Sequence, residues 1–500
     1  MFDKETESHL KPLKSLGNKQ VAEAAMERAF KEVEAYQSFL ESEGLDQLPL
    51  MFEERRLTSK DSYMLAYDHF KLRGNTVEKI ASYHRSSSSN HNLYWPRPKM
   101  TKERTILLKQ YLEQHYHTHL IRSMCIVGTC AGSWTGWQDI CSGLEHVSDI
   151  VDYPFYTFTP GNDVDTIVNF ILLNDLHIPQ FILFLCPSFI AYILEAVKDL
   201  GLQEKFPFHK LRFFTIGEPF NEDFRDHIDT LCPSNSSISS LFSVYGSADT
   251  DLIGAESLAS VAIRKLLHRH KFLSKQMGFA RTSPHFFHFY AQDAYIESVK
   301  GELCITKWQG IPLPRYNLHD RVKLYSWKEL RAFILSHKYD SPEDKPLHEI
   351  VEKAGEDLPD IIALFGRSDS SLKLLGTFIT EEVLDHLMQS KRLSQYLTGH
   401  YKASVEYDEH DHQYLKLTVE MRPSVASSDD LTNLLYREVI EDLCEFQHEF
   451  KEDYEEIYKK FDDDPHRQIL RLTLCKWPAL SQELLEKTKR RGIESKNKVN

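Results

Sequence analysis

Residues 311–322 hold the side chains whose types and spacing first suggest chemistry in this chain. Two prolines interrupt regular structure there, and Arg315 and Asp320 follow within a short polar stretch. Apolar segments at 302–306 and 322–325 flank it, and each has the composition of a β-strand. We therefore expect a charged turn between two strands, where a carboxylate could accept hydrogen bonds from a polar ligand. An ordinary surface loop is the alternative interpretation of this stretch taken alone.

A run of serines forms a second candidate site, and its members are Ser86, Ser87, Ser88 and Ser89. It follows a predicted strand at 80–85, and both hydroxyl groups and exposed backbone N–H groups can donate hydrogen bonds to phosphate oxygens. The run contains neither glycine nor lysine, and Arg85 is the nearest cation. The sequence supports either a phosphate-binding loop or a serine-rich linker here.

Small, aromatic or acidic residues follow three other predicted strands, which end at Val127, Thr215 and Val244. In open α/β sheets, ligands bind beyond the carboxyl ends of the strands, so these three ends could line one nucleotide or acyl pocket. Each end taken alone is typical of an ordinary turn. The residues that we expect at such a pocket are Gly217, Glu218, Tyr245, Gly246, Ser247 and Asp249.

The elements that must position these residues alternate between strand and helix. Short apolar strands separated by helical patterns are predicted at 123–127, 155–158, 180–185 and 210–215. This alternation predicts parallel β-α-β units with right-handed crossovers. Because the strands are continuously apolar, they fit a sheet that is buried on both faces.

The composition limits the class of protein. The chain has 500 residues, 41% of them hydrophobic, and a formal net charge of −14, which argues against a general nucleic-acid or anionic-membrane binder. Its 8 cysteines include no C-x-x-C pair, so neither a disulfide framework nor a zinc ribbon is indicated. The longest apolar run, 181–194, is too short to span a bilayer. We expect a soluble, cytoplasmic protein of several domains.

The order of these motifs resembles that of the adenylate-forming (ANL) superfamily, and in particular its phenylacetate-CoA ligase-like branch. That family has a Ser/Thr/Gly phosphate loop, a Gly-Glu-Pro strand end, a Tyr-Gly strand end with a following acid, an Arg-Tyr-x-x-x-Asp turn and a Gly-Arg-x-Asp stretch. The corresponding segments here are 86–90, 217–219, 245–249, 315–320 and 366–376. The resemblance therefore covers almost the whole chain in the same order.

The resemblance implies an α/β fold with two domains. Residues 1–365 would form a large N-terminal adenylate-forming domain with mixed, mainly parallel sheets, and residues 366–500 a small, mobile α+β domain. Strand patterns at 398–407 and 413–421, followed by a helical pattern at 431–450, fit the second domain.

The resemblance also implies a two-step reaction that consumes ATP. A carboxylic acid would attack the α-phosphate of ATP to give acyl-AMP and pyrophosphate, and coenzyme A or another acceptor would then displace AMP. The alternative is a degenerate, non-catalytic homologue that binds a nucleotide or acyl ligand as a pathway partner. Small molecules are the expected partners, without nucleic acid or membrane, while the acid, the acceptor and the oligomeric state stay open.

Site roles carry over from the family onto matching positions. Asp320 would hold the ribose hydroxyls, Tyr245 would flank the adenine, and Asp249 would hold Mg²⁺ near the phosphates. Residues 86–89 would cradle the β- and γ-phosphates, and His319 stands where the family has glycine. The other positions that the resemblance places around the nucleotide are Gly217, Glu218, Gly246 and Ser247.

The second domain would contribute three further residues. Arg367 would lie near the nucleotide, and Asp369 would be the hinge about which the small domain turns between the two half-reactions. Lys489 would supply a positive charge at the α-phosphate, with Lys487 as the other choice. A solvated basic tail is the alternative for both lysines.

Overall fold

The computed structural model describes a large part of the chain. The described residues are 10–73, 80–85, 94–129, 131–217, 219–234, 238–279, 283–291, 293–339, 341–367, 371–374, 377–407, 413–447, 450–451, 454–455, 459, 462, 464, 467–481 and 492–493. The chain separates into a large unit, Met1–Glu218 with Arg225–Phe365, and a small unit, Pro219–Phe224 with Gly366–Asn500.

Helices and strands alternate along much of the described chain. The α-helices are α1 (Lys19–Glu32), α2 (Glu34–Ser42), α3 (His69–Arg73), α4 (Lys102–Tyr116), α5 (Thr135–Ser148), α6 (Val164–Asn174), α7 (Pro187–Asp199), α8 (Glu222–Leu231), α9 (Leu258–Arg269), α10 (Lys271–Gln276), α11 (Trp327–Leu335), α12 (Lys345–Lys353), α13 (Glu381–Met388) and α14 (Asp429–Phe446). The strands are β1 (Ser15–Gly17), β2 (Thr58–Ser59), β3 (Ile80–Arg85), β4 (Tyr94–Pro98), β5 (Ser123–Val127), β6 (Phe155–Phe158), β7 (Gln180–Leu185), β8 (Leu211–Ile216), β9 (Leu241–Ser247), β10 (Asp251–Ala255), β11 (His285–Phe289), β12 (Ala294–Val299), β13 (Glu302–Lys307), β14 (Leu313–Tyr325), β15 (Ile361–Arg367), β16 (Ser371–Leu374), β17 (Thr377–Thr380), β18 (Leu397–Tyr407), β19 (Gln413–Met421), β20 (Leu470–Cys475) and β21 (Gly492–Ile493).

The large unit is built on one mixed sheet. Its strand order is β1-β12-β13-β14-β15-β11-β10-β9-β8-β7-β5-β6, and β2 pairs with β14. Strands β5 to β9 pair in parallel, as the strand–helix alternation predicts, so the α/β class is confirmed. Most other pairs are antiparallel, and parallel pairing is not the main mode of the whole sheet. For β9–β10, β12–β13 and β13–β14 the physical reason is connection length, because short links between consecutive strands allow only hairpins.

The parallel strands lie in the core of the large unit. Every residue of β5 and β7 is buried, and residues of α4 and α5 such as Leu112 and Leu144 pack with Val127 and Phe184. The longest apolar run of the sequence thus forms a core strand and the start of α7. None of the helices in the described part of the chain is long and apolar enough to cross a membrane.

Strand β14 replaces the turn that the sequence predicts at 311–322. That prediction was wrong, because residues Leu313–Tyr325 form one strand of 13 residues. The pairing of β14 with β13 shifts register between residues 313 and 316 and again between residues 317 and 321. The proline and charged residues that suggested a turn lie at these two irregularities, since β-bulges accommodate residues that a regular ladder cannot.

Two residues of β14 have a left-handed backbone conformation. The φ angle is 43° at Arg315 and 57° at His319. Glycine adopts such an angle without steric cost, whereas histidine has a Cβ that makes it less favourable. Here the His319 amide donates to Asn317 Oδ1 at 2.9 Å, and its Nδ1 lies 3.4 Å from Glu302 Oε2.

The guanidinium of Arg315 fixes the first bulge to the rest of the unit. Its Nε lies 3.0 Å from Glu297 Oε2, and its Nη2 lies 3.2 Å from Glu297 Oε1, which makes the ion pair bidentate. Its Nη1 donates to the carbonyl oxygens of Glu53 and Arg55. Because Arg315 is buried, these partners are needed to offset the desolvation of its charge.

The small unit has its own sheet and core. Its strand order is β20-β19-β18-β21, and α13 and α14 contribute to one apolar cluster with β18 and β19. The predicted strands at 398–407 and 413–421 are confirmed, and the predicted helix after them ends at Phe446. Glu420 is buried in this sheet and accepts hydrogen bonds from the amides of Leu480 and Ser481, each at 2.9 Å.

Two buried histidines make the large unit sensitive to acid. Burial lowers the pKa of His115 and of His288 to about 4. The His115 ring stacks on Tyr111 with 4.1 Å between centroids, and its Nδ1 lies 2.9 Å from the Tyr111 carbonyl oxygen. The folded state thus favours neutral rings, so the stability they support is complete above about pH 6.5 and declines as the pH falls towards 4.

Removing one of these histidines should flatten the acid response. The free energy of unfolding should fall between pH 6.5 and pH 4 in both His115→Phe and the unmodified chain. The decrease should be roughly 3 kcal/mol smaller in His115→Phe, because one pKa unit corresponds to about 1.4 kcal/mol. Urea denaturation at both pH values measures this difference. The matched control is His119→Phe at an exposed position, and equal pH dependence in all three proteins would contradict the assignment.

The strain at His319 can be measured with two substitutions that both remove its imidazole. We expect His319→Gly to be more stable than His319→Val by about 1–2 kcal/mol, because only glycine tolerates the positive φ. In a regular strand valine would be the more stable of the two, so the sign of the difference is diagnostic. Urea denaturation provides the comparison, and a valine variant as stable as the glycine variant would show that this position carries no backbone strain.

Candidate active site

Tyr245 at the end of β9 and Asp320 in β14 form the first contact of the candidate site. The Tyr245 hydroxyl donates to Asp320 Oδ2 at 2.5 Å, and both residues are less than a tenth exposed. The Tyr245 ring stacks on Phe287 of β11, with ring centroids 5.5 Å apart and planes at 25°. The aromatic contact fixes the tyrosine ring, so its hydroxyl is held at the carboxylate.

A second hydrogen bond joins the same two segments, with the tyrosine and the aspartate exchanged between them. The Tyr316 hydroxyl of β14 donates to Asp249 Oδ2 at 2.6 Å, and Asp249 lies in the turn between β9 and β10. Gln309, which precedes β14 in the sequence, donates from Nε2 to the Asp249 carbonyl oxygen at 2.6 Å. This bond helps to fix the turn. We call Tyr245, Asp249, Tyr316 and Asp320 the Tyr–Asp cluster.

The Tyr–Asp cluster requires a curled sheet. Strands β9 and β14 are separated by β10, β11 and β15 in the strand order. Neighbouring strands lie about 4.8 Å apart, so a flat sheet would place β9 and β14 roughly 19 Å from each other. The hydrogen bond from Tyr245 in β9 to Asp320 in β14 is possible only because the sheet bends until these strands face one another.

The two carboxylates are the groups of the cluster that suit a polar ligand or a cation. An ionised carboxylate has two oxygens, each of which can accept hydrogen bonds. Among the described residues, no group of three His, Cys, Asp or Glu side chains could hold a metal alone. A lone carboxylate such as Asp249 suits Mg²⁺, which usually takes one or two protein carboxylates and completes its shell with phosphate oxygens and water.

A group of charged side chains, which range from buried to half-exposed, adjoins the turn that carries Asp249. We call Arg97, Arg104, Lys307, Asp251 and Asp293 the Arg–Lys cluster. Asp251 lies 2.7 Å from Arg97 Nη1, 3.2 Å from Arg104 Nη1 and 3.6 Å from Lys307 Nζ. Asp293 lies 3.1 Å from Arg104 and 3.5 Å from Lys307. Three cations against two carboxylates give the cluster a formal charge of +1.

The Arg–Lys cluster holds the backbone on both sides of Asp249. Arg97 donates to the Ala248 carbonyl oxygen at 2.6 Å, and Lys307 donates to the Thr250 carbonyl oxygen at 3.2 Å. Burial raises the pKa of Asp251, but the charges of Arg97, Lys307 and Arg104 outweigh it and bring that pKa to about 2. Burial also lowers the pKa of Lys307, since its ammonium is withdrawn from water.

Sequence reasoning missed the Arg–Lys cluster. Arg97, Arg104 and Lys307 come from distant parts of the chain, so no local spacing joins them. The acid at 251, two residues after Asp249, is the local signal that could have found one member.

Three predicted small residues lie at the strand ends with local structural roles. A Cβ at Gly246 would lie 2.4 Å from the Asp251 carbonyl oxygen, so glycine permits the close approach within the β9–β10 hairpin. The Ser247 hydroxyl accepts from the Asp249 amide at 3.2 Å and orders the same turn. Gly217, which follows β8, has a φ of 88°, a conformation that glycine adopts freely.

Several predicted site positions fall outside the described residues. They are Ser86, Ser87, Ser88, Ser89, Glu218, Asp369, Lys487, Lys489 and the side chain of Arg367. Their assignments stay predictions.

Comparisons with known proteins bear on the fold. No protein-family model matches the chain, and no curated protein matches it. The solved acyl acid amido synthetase GH3.15 is 11% identical with a TM-score of 0.55, covering 95% of this chain and 91% of its own. A structure of AtGH3.15 acyl acid amido synthetase with 2,4-DB is 10% identical with a TM-score of 0.54, covering 95% of this chain and 92% of its own.

A 2-hydroxyisobutyryl-CoA ligase in complex with 2-HIB-AMP and CoA also matches. It is 14% identical with a TM-score of 0.47, and the match covers 94% of this chain and 92% of that chain. Identities this low concern the fold alone. The chain has the fold of the acyl acid amido synthetases, as its resemblance to adenylate-forming enzymes predicts.

Proposed function

We propose that this chain is an AMP-forming acid ligase of the adenylate-forming superfamily. It activates a carboxylic acid with ATP, giving acyl-AMP and pyrophosphate, and passes the acyl group to an acceptor. The observation that carries the proposal is the Tyr–Asp cluster, in which two hydrogen bonds join the segment of Tyr245 and Asp249 to the segment of Tyr316 and Asp320. The fold shared with acyl acid amido synthetases supports it.

Asp320 is the proposed ribose-binding residue. Its carboxylate is buried and oriented by the Tyr245 hydroxyl. In a site of low polarity, hydrogen bonds from two neighbouring ribose hydroxyls to a charged oxygen are stronger than in water. Tyr245 flanks the adenine in this proposal, with its ring already fixed against Phe287.

The phosphates belong near Asp249 in the same proposal. Residues 86–89 supply hydroxyl donors to the β- and γ-phosphates, and Gly217, Glu218, Gly246 and Ser247 surround the nucleotide. The formal charge of +1 on the Arg–Lys cluster offsets the negative charge of Asp249 in the neighbouring turn. Asp249 is the residue that would hold Mg²⁺, and that ion supplies charge neutralisation at the phosphates when bound.

Three residues of the C-terminal domain, residues 366–500, complete the proposal through the resemblance. Arg367 contacts the nucleotide, and Asp369 is the hinge of a domain that moves between the half-reactions. Lys489, with Lys487 as the alternative, provides the positive charge that stabilises the transition state at the α-phosphate.

The acceptor is proposed as an amine or coenzyme A. The structural relatives with the higher TM-scores are named as amido synthetases, which points to an amine. The resemblance to the phenylacetate-CoA ligase-like branch points to coenzyme A. Both acceptors therefore belong in the test of the second half-reaction.

Release of pyrophosphate tests the first half-reaction. The full chain is incubated with ATP, Mg²⁺ and a panel of aryl and fatty acids, and pyrophosphate is measured for each acid without an acceptor and with an amine or coenzyme A. We expect release that depends on one class of acid. A chain that neither consumes ATP nor binds it would overturn the proposal.

Substitution of the C-terminal lysines separates binding from chemistry. Lys489→Ala should lower pyrophosphate release by at least about a hundredfold, because one preorganised charge at a transition state contributes roughly 10²–10³ in rate. ATP affinity, measured by calorimetry, should change little in the same variant. Lys487→Ala is the matched control, and an equal loss in Lys487→Ala alone would move the assignment to that residue.

A further inference from the structure

Ser82, His84 and Asp139 form a relay of one hydrogen bond and one ion-pair contact in the large unit, and the proposed ligase reaction does not use it. The Ser82 hydroxyl lies 2.8 Å from His84 Nε2, and His84 Nδ1 lies 3.0 Å from Asp139 Oδ1. His84 is buried, Ser82 is half-buried, and the Asp139 side chain is 39% exposed. The imidazole therefore stands between a hydroxyl on one nitrogen and a carboxylate on the other.

The relay follows from where β3 meets α5. Residues 82 and 84 are two apart in a strand, so their side chains share one face. Asp139 lies in the second turn of α5, whose start is fastened to β3 through the bond from the Arg85 amide to the Ser133 carbonyl oxygen, at 2.6 Å. The Thr135 hydroxyl donates back to the Arg85 carbonyl oxygen at 3.1 Å. These contacts hold strand and helix together, so the three side chains are positioned by two regular elements.

The arrangement matches the roles of a nucleophile, a base and an orienting acid. A carboxylate beside Nδ1 favours the tautomer with its proton on that nitrogen, which leaves Nε2 free to accept from the serine. His84 Nδ1 lies within ion-pair distance of the Asp139 oxygen, but the geometry is not that of a hydrogen bond. A positive charge on the ring would strengthen this contact. The first turn of α5 has no side-chain cap, and its N–H groups place partial positive charge at this end of the helix.

We propose that Ser82, His84 and Asp139 form a second catalytic site, which hydrolyses activated carboxylic esters and thioesters through an acyl-serine. Ser82 Oγ bonds to the acyl carbon while its proton passes to His84 Nε2. The bond from the acyl carbon to the leaving oxygen or sulfur breaks, and the leaving atom takes the proton from Nε2. Water then attacks the acyl-serine and gives a proton to Nε2, which returns it to Ser82 Oγ as the carboxylic acid departs.

Labelling with a fluorophosphonate tests the proposal on the full chain without ATP, so its outcome is independent of the ligase reaction. The reagent should form one phosphorus–oxygen bond to Ser82 with loss of fluoride, detected as a single mass addition and located by peptide mapping. Ser82→Ala should abolish the addition. Ser133→Ala, at an exposed serine near the start of α5, is the matched control and should label as the unmodified chain does.

Two further variants test the base and the positioning residue. His84→Gln should slow labelling by about a hundredfold or more, as expected for loss of a general base. Asp139→Asn should slow it by at least about tenfold while leaving the urea midpoint unchanged, and Asp139→Glu should recover part of the rate. Hydrolysis of p-nitrophenyl acetate should show a burst of one equivalent per chain that follows the same ranking.

Two results would overturn the proposal. One is a folded, unmodified chain that takes up no label and shows no burst. The other is labelling at a different serine, including the run at 86–89, with a rate that His84→Gln leaves unchanged.

Discussion

The curl of the large sheet is the constraint on which the candidate site depends. Strands β9 and β14 are separated by three strands in the order of the sheet, yet Tyr245 of β9 bonds to Asp320 of β14, and Tyr316 of β14 bonds to Asp249 in the turn after β9. Bulges give a strand extra twist and bend, and β14 contains two of them. The irregular strand thus both shapes the sheet and carries two members of the cluster.

Ion pairs and hydrogen bonds from charged side chains hold the two segments that form the site. The bidentate pair between Arg315 and Glu297 compensates the first bulge, and the Arg–Lys cluster holds the carbonyl groups before and after Asp249. Buried ions are stable only when they are paired, so removing one partner would leave an unpaired charge in the core. The same pairing holds the backbone on both sides of Asp249, whose carboxylate accepts a hydrogen bond from the Tyr316 hydroxyl.

Local patterns in the sequence predicted the elements better than their assembly. The apolar strands β5 and β7 follow from hydrophobic runs, and the strand pair of the small unit follows from alternation of apolar and polar residues. The sequence could not show that a strand begins at Leu313 and continues to Tyr325, because prolines and charges suit a turn and a bulge equally. Nor could it show the Arg–Lys cluster or the contact of His84 with Asp139, since both join residues that are distant along the chain.

The role of Asp320 as the ribose-binding carboxylate is tested most directly by comparing ATP with 2′,3′-dideoxy-ATP. Calorimetry on the unmodified chain should show at least about tenfold tighter binding of ATP, because each hydrogen bond to a charged group contributes roughly 1.5–3 kcal/mol. Most of that difference should disappear in Asp320→Asn. Equal affinity of the unmodified chain for both nucleotides would contradict the assignment.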